Sequence, residues 1–411
     1  MHSRHLRQLQ YFNGWIRSIR KNKLYTFVEV SNGKKDVQLV IDKSRKIENL
    51  AIGASLSCNG NFQLKENGQM DIHVQDIKII GTCDPQTYPL QNQRHSLEFL
   101  RKMPHLIARR KLQATIINYR HFLSTEIHKY FDSLEFTHVN TPILTSNDCE
   151  GGGSTLKVSN DMFKSLANLT VSAQLHLEAI NSGFEKVYTL GPCFRAERTT
   201  SSKHLAEFYM LEAEIAFMDD LETLLSLVEK FFNHLISISK VYLDPKMDQL
   251  QSEIELMPSN RLKVAKIERI TYNNAFELLK TKNKNYEHPL TFGDFTNEQE
   301  QHLVSIIGGP VFVTHYPSSN KPFYMKSIDG KAICFDFLVP HVGEMAGGSL
   351  RSLELNNLPS NLNWYNDLRQ FGASPHCGFG FGLERFIMYA MNLKSIRDTI
   401  PFPRYYKSTI F

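Results

Sequence analysis

No two cysteines in this chain form a C-x-x-C pair. The six, Cys58, Cys83, Cys149, Cys193, Cys334 and Cys377, lie far apart in 411 residues. That spacing argues against a structural zinc site and against a disulfide framework, and the thiols fit a reducing compartment. Long apolar runs are missing as well. None approaches the roughly 18 residues needed to cross a bilayer, so no membrane partner is expected. Acidic residues are absent from positions 1–28, where Arg4, Arg7, Arg17, Arg20, Lys21 and Lys23 are basic. Organellar transit peptides have this makeup. The strand pattern already begins near Leu9, however, which leaves only a stub to remove, and a nucleic-acid-binding surface explains the same charges. No repeat or low-complexity tract is visible. What remains is an ordinary soluble composition, 42% hydrophobic and 22% charged with a net charge of +5. It excludes wholesale disorder and is compatible with a nucleic-acid partner without requiring one.

Residues 9–83 read as about five short strands. In Tyr25–Val30 the period of two puts Val28 and Val30 on one face and Tyr25, Phe27 and Glu29 on the other. A second run, Val37–Ile41, follows the turn Ser31-Asn32-Gly33, and Gly53, Gly60 and Gly68 are expected to separate later strands. This pattern suits a small β-barrel. The stretch 84–108, with Pro85, Pro89 and Pro104, reads as a linker. A long helix is expected from Arg109, with Leu112, Ile116, Tyr119, Leu123, Ile127 and Tyr130 as one apolar stripe. Residues 219–237 form another amphipathic helix, strands dominate to about 340, and a last helix opens near Gly382. The whole is α+β, divided 1–83, 84–108 and 109–411.

Three constellations carry chemistry. The first is Gly191-Pro192-Cys193-Phe194-Arg195-Ala196-Glu197, followed by Lys203-His204. Arg195 and Glu197, at alternate strand positions, suit a phosphate and a base or ribose donor, although in isolation such a pair is more often a structural salt bridge. In Gly378-Phe379-Gly380-Phe381-Gly382-Leu383-Glu384-Arg385, three alternating glycines let a flat ligand lie close, though tight strand packing needs glycine too. The third is Asp336, then Gly343-Glu344, then Gly347-Gly348-Ser349-Leu350-Arg351. Two carboxylates at that spacing can hold Mg²⁺ on a polyphosphate, or stand as ordinary hydrogen-bonded acids.

In this order the three resemble motifs 2 and 3 of the class II aminoacyl-tRNA synthetases, with the 109 helix and Pro142 as motif 1. The resemblance covers nearly the whole chain. It implies an N-terminal OB-fold that binds the anticodon and an antiparallel catalytic sheet flanked by helices. Within the class the sequence is similar to the aspartyl/asparaginyl/lysyl branch. The stretches Tyr88-Pro89-Leu90, His95–Arg101, Thr170–Glu178 and Ile396–Arg404 resemble the asparaginyl members. Aspartyl relatives carry a carboxylate-binding Lys three residues after the Gln; here that place is Leu177. Lys203 stands for a usual Arg, Leu350 for a Gln, Ser352 for a Glu and Cys377 for a Gly, and no motif loses its central residue.

The resemblance implies ATP-dependent ligation of asparagine to tRNA(Asn) through an adenylate. Arg195 is then expected on the α-phosphate, Glu197 on the adenine amino group, and His204 with Arg385 on the γ-phosphate. Gly382 would lie against ATP, and Asp336 and Glu344 would carry Mg²⁺; no zinc is expected. Glu150, Ser172 and Gln174 would line the amino-acid pocket. Arg351 would grip the side-chain carbonyl, with Glu212 facing the amide or the ammonium. Arg20, Phe27 and Gln38 would meet the anticodon. A homodimer is implied, with the stripe of the 109 helix as its seam. The expected location is the mitochondrial matrix, with the cytoplasm as the alternative. The rival readings are an aspartyl or non-discriminating member and a non-catalytic paralogue that binds nucleic acid. The paralogues lose the ATP-binding Arg and Glu residues, whereas Arg195, Glu197, Glu344 and Arg385 persist.

Overall fold

The computed structural model describes residues 11–147, 155–250, 262–354 and 362–408, apart from 67, 92, 94, 160, 165, 200, 264, 265 and 283. It divides into two compact units, residues up to 119 and residues from 120 onward.

In the first unit, β1 (Phe12–Lys21), β2 (Tyr25–Ser31), β3 (Asp36–Asp42), β4 (Ser55–Leu64) and β5 (Met70–Gly81) close into a barrel ordered β1-β2-β3-β5-β4. Period-two alternation drives it: Phe12, Ile16, Val28, Val30, Leu39, Ile41, Leu56 and Ile72 fill the interior. Gly60 does not separate strands. It lies inside β4 at a register shift, where a Cβ would sit 2.1 Å from the His73 carbonyl oxygen. Glycine here marks a bulge and a close backbone approach.

Residues 84–108 are no bare linker. Ser96 caps α1 (Leu97–Arg101) by accepting from the Phe99 N–H at 3.1 Å. Leu90, Leu100 and Ile107 make a small core of their own with Tyr88, Leu97, Met103 and Leu106. The prolines shorten the elements without preventing burial. The long helix α2 spans Lys111–Ser133 rather than starting at Arg109, because Arg110 is extended. Leu112, Ile116, Tyr119, Leu123 and Ile127 are buried as the stripe requires, but Phe131 rather than Tyr130 completes it.

The second unit is built on an eight-stranded sheet ordered β12-β13-β16-β17-β18-β11-β10-β6. The strands in chain order are β6 (Thr137–His138), β7 (Leu144–Thr145), β8 (Leu156–Val158), β9 (Ala167–Leu169), β10 (Lys186–Phe194), β11 (Glu207–Ala216), β12 (Glu268–Thr271), β13 (Val311–Thr314), β14 (Ser327–Ile328), β15 (Lys331–Ala332), β16 (Cys334–Val339), β17 (Gly343–Leu350) and β18 (His376–Gly382). β7-β9-β8 and β14-β15 form small separate sheets. The central strands are antiparallel as expected, but both edge pairs, β6 with β10 and β12 with β13, are parallel.

Helices α3 (Gln174–Asn181), α4 (Leu221–Leu250), α5 (Tyr272–Thr281), α6 (Asn297–Ile307), α7 (Asn363–Gln370) and α8 (Leu383–Ala390) flank it. Helices α5 and α6 interrupt the region expected to be strands. The start of α6 was readable: Thr296 and Gln299 form a reciprocal capping box. Helix α4 buries Leu221, Leu224, Leu225, Val228, Phe231, Phe232 and Leu235. Against it and the sheet packs the second half of α2, with Phe131 stacked on Tyr188 at 4.8 Å and 5.3 Å from Phe231. That half of the stripe is therefore consumed within its own subunit, which corrects its expected use as a dimer seam.

Candidate active site

Glycines set where side chains can stand on the sheet. On β18, Gly378, Gly380 and Gly382 lie opposite Glu214, Glu212 and Met210 of β11. A Cβ at Gly378 would lie 2.2 Å from the Glu214 carboxyl carbon, and one at Gly380 2.5 Å from the Met210 methyl. The room that the sequence suggested for a flat ligand is thus, at these two positions, filled by the protein's own side chains.

Above this floor opens a cavity of about 360 Å³. Among its lining are Ser172, Gln174, Arg195, Glu197, His204, Glu212, Asp336, Glu344, Arg351, Gly382 and Arg385. Every residue expected at the catalytic site lines it except Glu150, which lies outside the described residues. Arg195 and Glu197 are not on a strand, since β10 ends at Phe194. Both still reach the cavity. The Arg195 guanidinium stands 5.5 Å from the Phe208 ring, and Glu197 pairs with His204 at 3.3 Å. Burial lowers the His204 imidazole, and Arg385, Arg195 and Lys203 add to that while Glu197 opposes it.

Two linked groups of side chains share the space. In one, Glu212 accepts from the Ser172 hydroxyl and from the Ala173 N–H at 2.8 Å, just before α3. Burial pushes its carboxyl up. Two residues on, and on the same strand face, Glu214 grips Arg351: the Arg351 Nε–H donates at 3.1 Å and a second N–H closes the fork. Arg351 also donates to the Ser349 hydroxyl at 2.6 Å. The period of two from Glu212 was the signal by which Glu214 could have been found.

The other group surrounds Gly347. A Cβ there would come within 3.0 Å of a Glu344 carboxylate oxygen and 3.5 Å of one from Asp336, so the two acids flank one small space. Lys321, a cation outside every motif, donates to Asp336 at 3.3 Å and pairs with Asp294 at 3.1 Å. Arg385, in the first turn of α8, donates to the Glu344 carbonyl and contacts its carboxylate at 3.3 Å. Burial raises Asp336, with Glu344 adding to it. For Glu344 itself, Arg385, Arg195 and Lys321 outweigh burial and hold it down. Among the described residues no group of three or more His, Cys, Asp or Glu is arranged to hold a metal alone. Two carboxylates do fit Mg²⁺, which takes one or two protein acids and completes its shell with water and phosphate oxygens.

Leu177 does not line the cavity. It is buried in a core cluster with Ala173 and Val187, so its place as a missing cation in the pocket is corrected. On the barrel, Arg20 lies across from Phe27 and donates to Gln38 at 3.2 Å. Phe27 is half-buried, and Gln38 is buried and donates to Asp71.

Residues 96–406 match the tRNA synthetases class II (D, K and N), and residues 11–80 match the OB-fold nucleic acid binding domain. The chain therefore belongs to the class II tRNA synthetases of that group. It is 38% identical to an asparagine–tRNA ligase of Rhodopirellula baltica, over 95% of this chain and 88% of the relative. It is also 38% identical to a mitochondrial asparagine–tRNA ligase of Schizosaccharomyces pombe, over 98% and 95%. The crystal structure of the Pyrococcus horikoshii asparaginyl-tRNA synthetase complexed with asparaginyl-adenylate superposes with a TM-score of 0.86 at 28% identity, covering 97% of this chain and 95% of that one. Within the class, the chain falls among the asparagine–tRNA ligases.

The clustered acids give the site a pH signature. Glu300 of α6 accepts from the Glu344 N–H at 3.2 Å and is pushed up to about 8 by burial and by the nearby Glu344 and Asp336. Between the usual carboxylate range and that value, the folded state keeps a proton that the unfolded chain has lost. Stability therefore falls as pH rises through this window. In EDTA, Glu300→Gln should raise the melting temperature more at pH 8.5 than at pH 5.5. An equal shift at both would rule this out.

Proposed function

We propose that the chain joins asparagine to tRNA(Asn) in two ATP-dependent steps. The carrying observation is one cavity holding two groups of opposite use: a hydrogen-bonding group around Arg351 and Glu212, and a phosphate-type group of Arg195, His204, Arg385 and paired acids. The asparagine carboxylate attacks the α-phosphate of ATP, giving asparaginyl-adenylate and pyrophosphate. The terminal ribose hydroxyl of the tRNA then attacks the acyl carbon and releases AMP. Neither step needs a nucleophile from the protein, so rate comes from positioning and from stabilising charge.

Arg195 holds the α-phosphate, Glu197 accepts from the adenine amino group, and His204 and Arg385 meet the γ-phosphate, with Gly382 beside the nucleotide. Asp336 and Glu344 would hold Mg²⁺, which supplies neutralising charge to the polyphosphate. Arg351 donates to the side-chain carbonyl, while Ser172, Gln174 and Glu212 orient the rest of the amino acid. On the barrel, Phe27 stacks on an anticodon base with Arg20 and Gln38 beside it, a contact worth about 1–3 kcal/mol.

One set of assays tests these roles. Wild type should support ATP–pyrophosphate exchange with asparagine and far less with aspartate. Arg195→Ala should lose exchange while melting near wild type. Phe27→Ala should keep exchange and lose aminoacylation. Equal exchange with both amino acids would overturn the specificity, and equal loss of both reactions in Phe27→Ala would overturn the anticodon role.

We further propose a two-fold homodimer. The α2 stripe is buried within the subunit, and the seam we propose in its place is the sheet edge at β6, with the exposed Ile143 and Leu144 following it. Sedimentation should give twice the 47.3 kDa of one chain; a monomer at micromolar concentration would exclude it. The mitochondrial matrix is the proposed location, supported by the acid-free, basic residues 1–28 and by the mitochondrial name of the fission-yeast relative. Fractionation should recover the protein with matrix markers, and recovery with the cytosol alone would favour the cytoplasmic alternative.

A further inference from the structure

Behind the amino-acid group of the cavity lies a carboxylate that never reaches it. Glu178, on α3, has a side chain with no exposure. It accepts from the Gln174 amide at 3.0 Å, the Tyr365 hydroxyl at 2.5 Å, an Arg369 N–H at 2.7 Å and His376 Nε2 at 3.0 Å. It also stands 3.8 Å from Arg351 Nε. Gln174 and Arg351 line the cavity, whereas Glu178 does not. We propose that Glu178 is a positioning residue for these two side chains and sets the preference for a neutral amide over a carboxylate in the pocket. This rests on the reading that asparagine is the amino acid activated.

The charge of Arg351 is already matched within the protein. Arg351 offers a guanidinium to a substrate side chain, and a guanidinium alone would favour aspartate. This one is not alone: Glu214 forks onto it, and Glu178 approaches its Nε from α3. Burial works against the Glu178 charge, but His376, Arg351 and Arg369 outweigh it and hold the carboxyl well below the usual range. Arg351 therefore keeps N–H groups to donate to a carbonyl oxygen, while its charge is already paired. A substrate carboxylate would arrive as a further buried negative charge, close to Glu212 and Glu214, at a guanidinium whose charge Glu214 already offsets. An amide brings no such charge. Gln174 is fixed by the same atom set, because its amide N–H points to Glu178 and so orients the rest of the group.

Glu178→Gln keeps the size and removes the charge, which leaves Arg351 with one carboxylate fewer. In ATP–pyrophosphate exchange, the KM for asparagine should rise at least fivefold, with the KM for ATP within twofold of wild type. The ratio of kcat/KM for asparagine over aspartate should fall at least tenfold, with aspartate activation becoming measurable. A ratio within twofold of wild type would overturn the proposal. So would a parallel loss for both amino acids and ATP, which is what a merely structural residue predicts. If Glu178→Gln does not fold, Tyr365→Phe removes one donor and leaves the charge. It should raise the asparagine KM several-fold at unchanged ATP KM, and no change would equally overturn the positioning role. Wild type is the separate arm: failure to activate asparagine there overturns the asparagine reading, independently of any ratio between variants.

Discussion

A buried guanidinium governs the floor of this site. Arg351 is 4% exposed and lies there because Glu214 forks onto it and Glu178 stands behind. Removing one partner from such a buried pair costs about 3–5 kcal/mol, since the other is left charged without water. The pair in turn dictates the sheet. Glu214 needs the space that Gly378 vacates across β11 and β18, and Ser349, which takes another Arg351 N–H, lies opposite Gly378 on β17. Three strands are thus locked in one register by a single charge pair, and that register carries Glu212 and Gly380 to their places one step along.

Chemistry was more legible in the sequence than geometry. Arg195, Glu197, His204, Asp336, Glu344, Arg351 and Arg385 could be named because their residue types follow one another in the order of the class II motifs. Their supports could not. Glu178 looks like any helix acid until α7 and β18 bring Tyr365, Arg369 and His376 to it from nearly two hundred residues away. Leu177 shows the converse error: its position relative to Gln174 suggested the pocket, but helix rotation turns it into the core with Val187. A motif fixes sequence spacing, whereas the direction of a side chain depends on what packs around its helix.

Local elements failed where two readings of one residue compete. Gly60 served as a bulge and not a break, because the backbone of His73 comes too close for any side chain. Prolines between 84 and 108 suggested an open linker, yet Leu90, Leu100 and Ile107, with four partly buried apolar neighbours, fold it on itself. The barrel was clear because strict alternation at Thr26, Val28 and Val30 admits one buried face, and the turn glycines Gly53 and Gly68 carry positive φ values that punctuate it.

The first turn of α6 holds the hairpin between β16 and β17 by its backbone. Asn297 donates to the Val342 carbonyl, Gln301 both donates to Val339 and accepts from the His341 N–H, and Glu300 accepts from Glu344 itself. Lys203, from the loop that carries His204, reaches the same Asn297 at 2.7 Å. These grips fall at helical spacing, and one residue of helix turns a side chain by about 100°. A lineage can therefore gain or lose residues in the loops that flank α6 without moving Glu344. A single insertion between Asn297 and Gln301 would swing half of the grip away from the hairpin. A change of length in the flanking loops should thus leave the grip intact, whereas one inside the opening turn of α6 should break it.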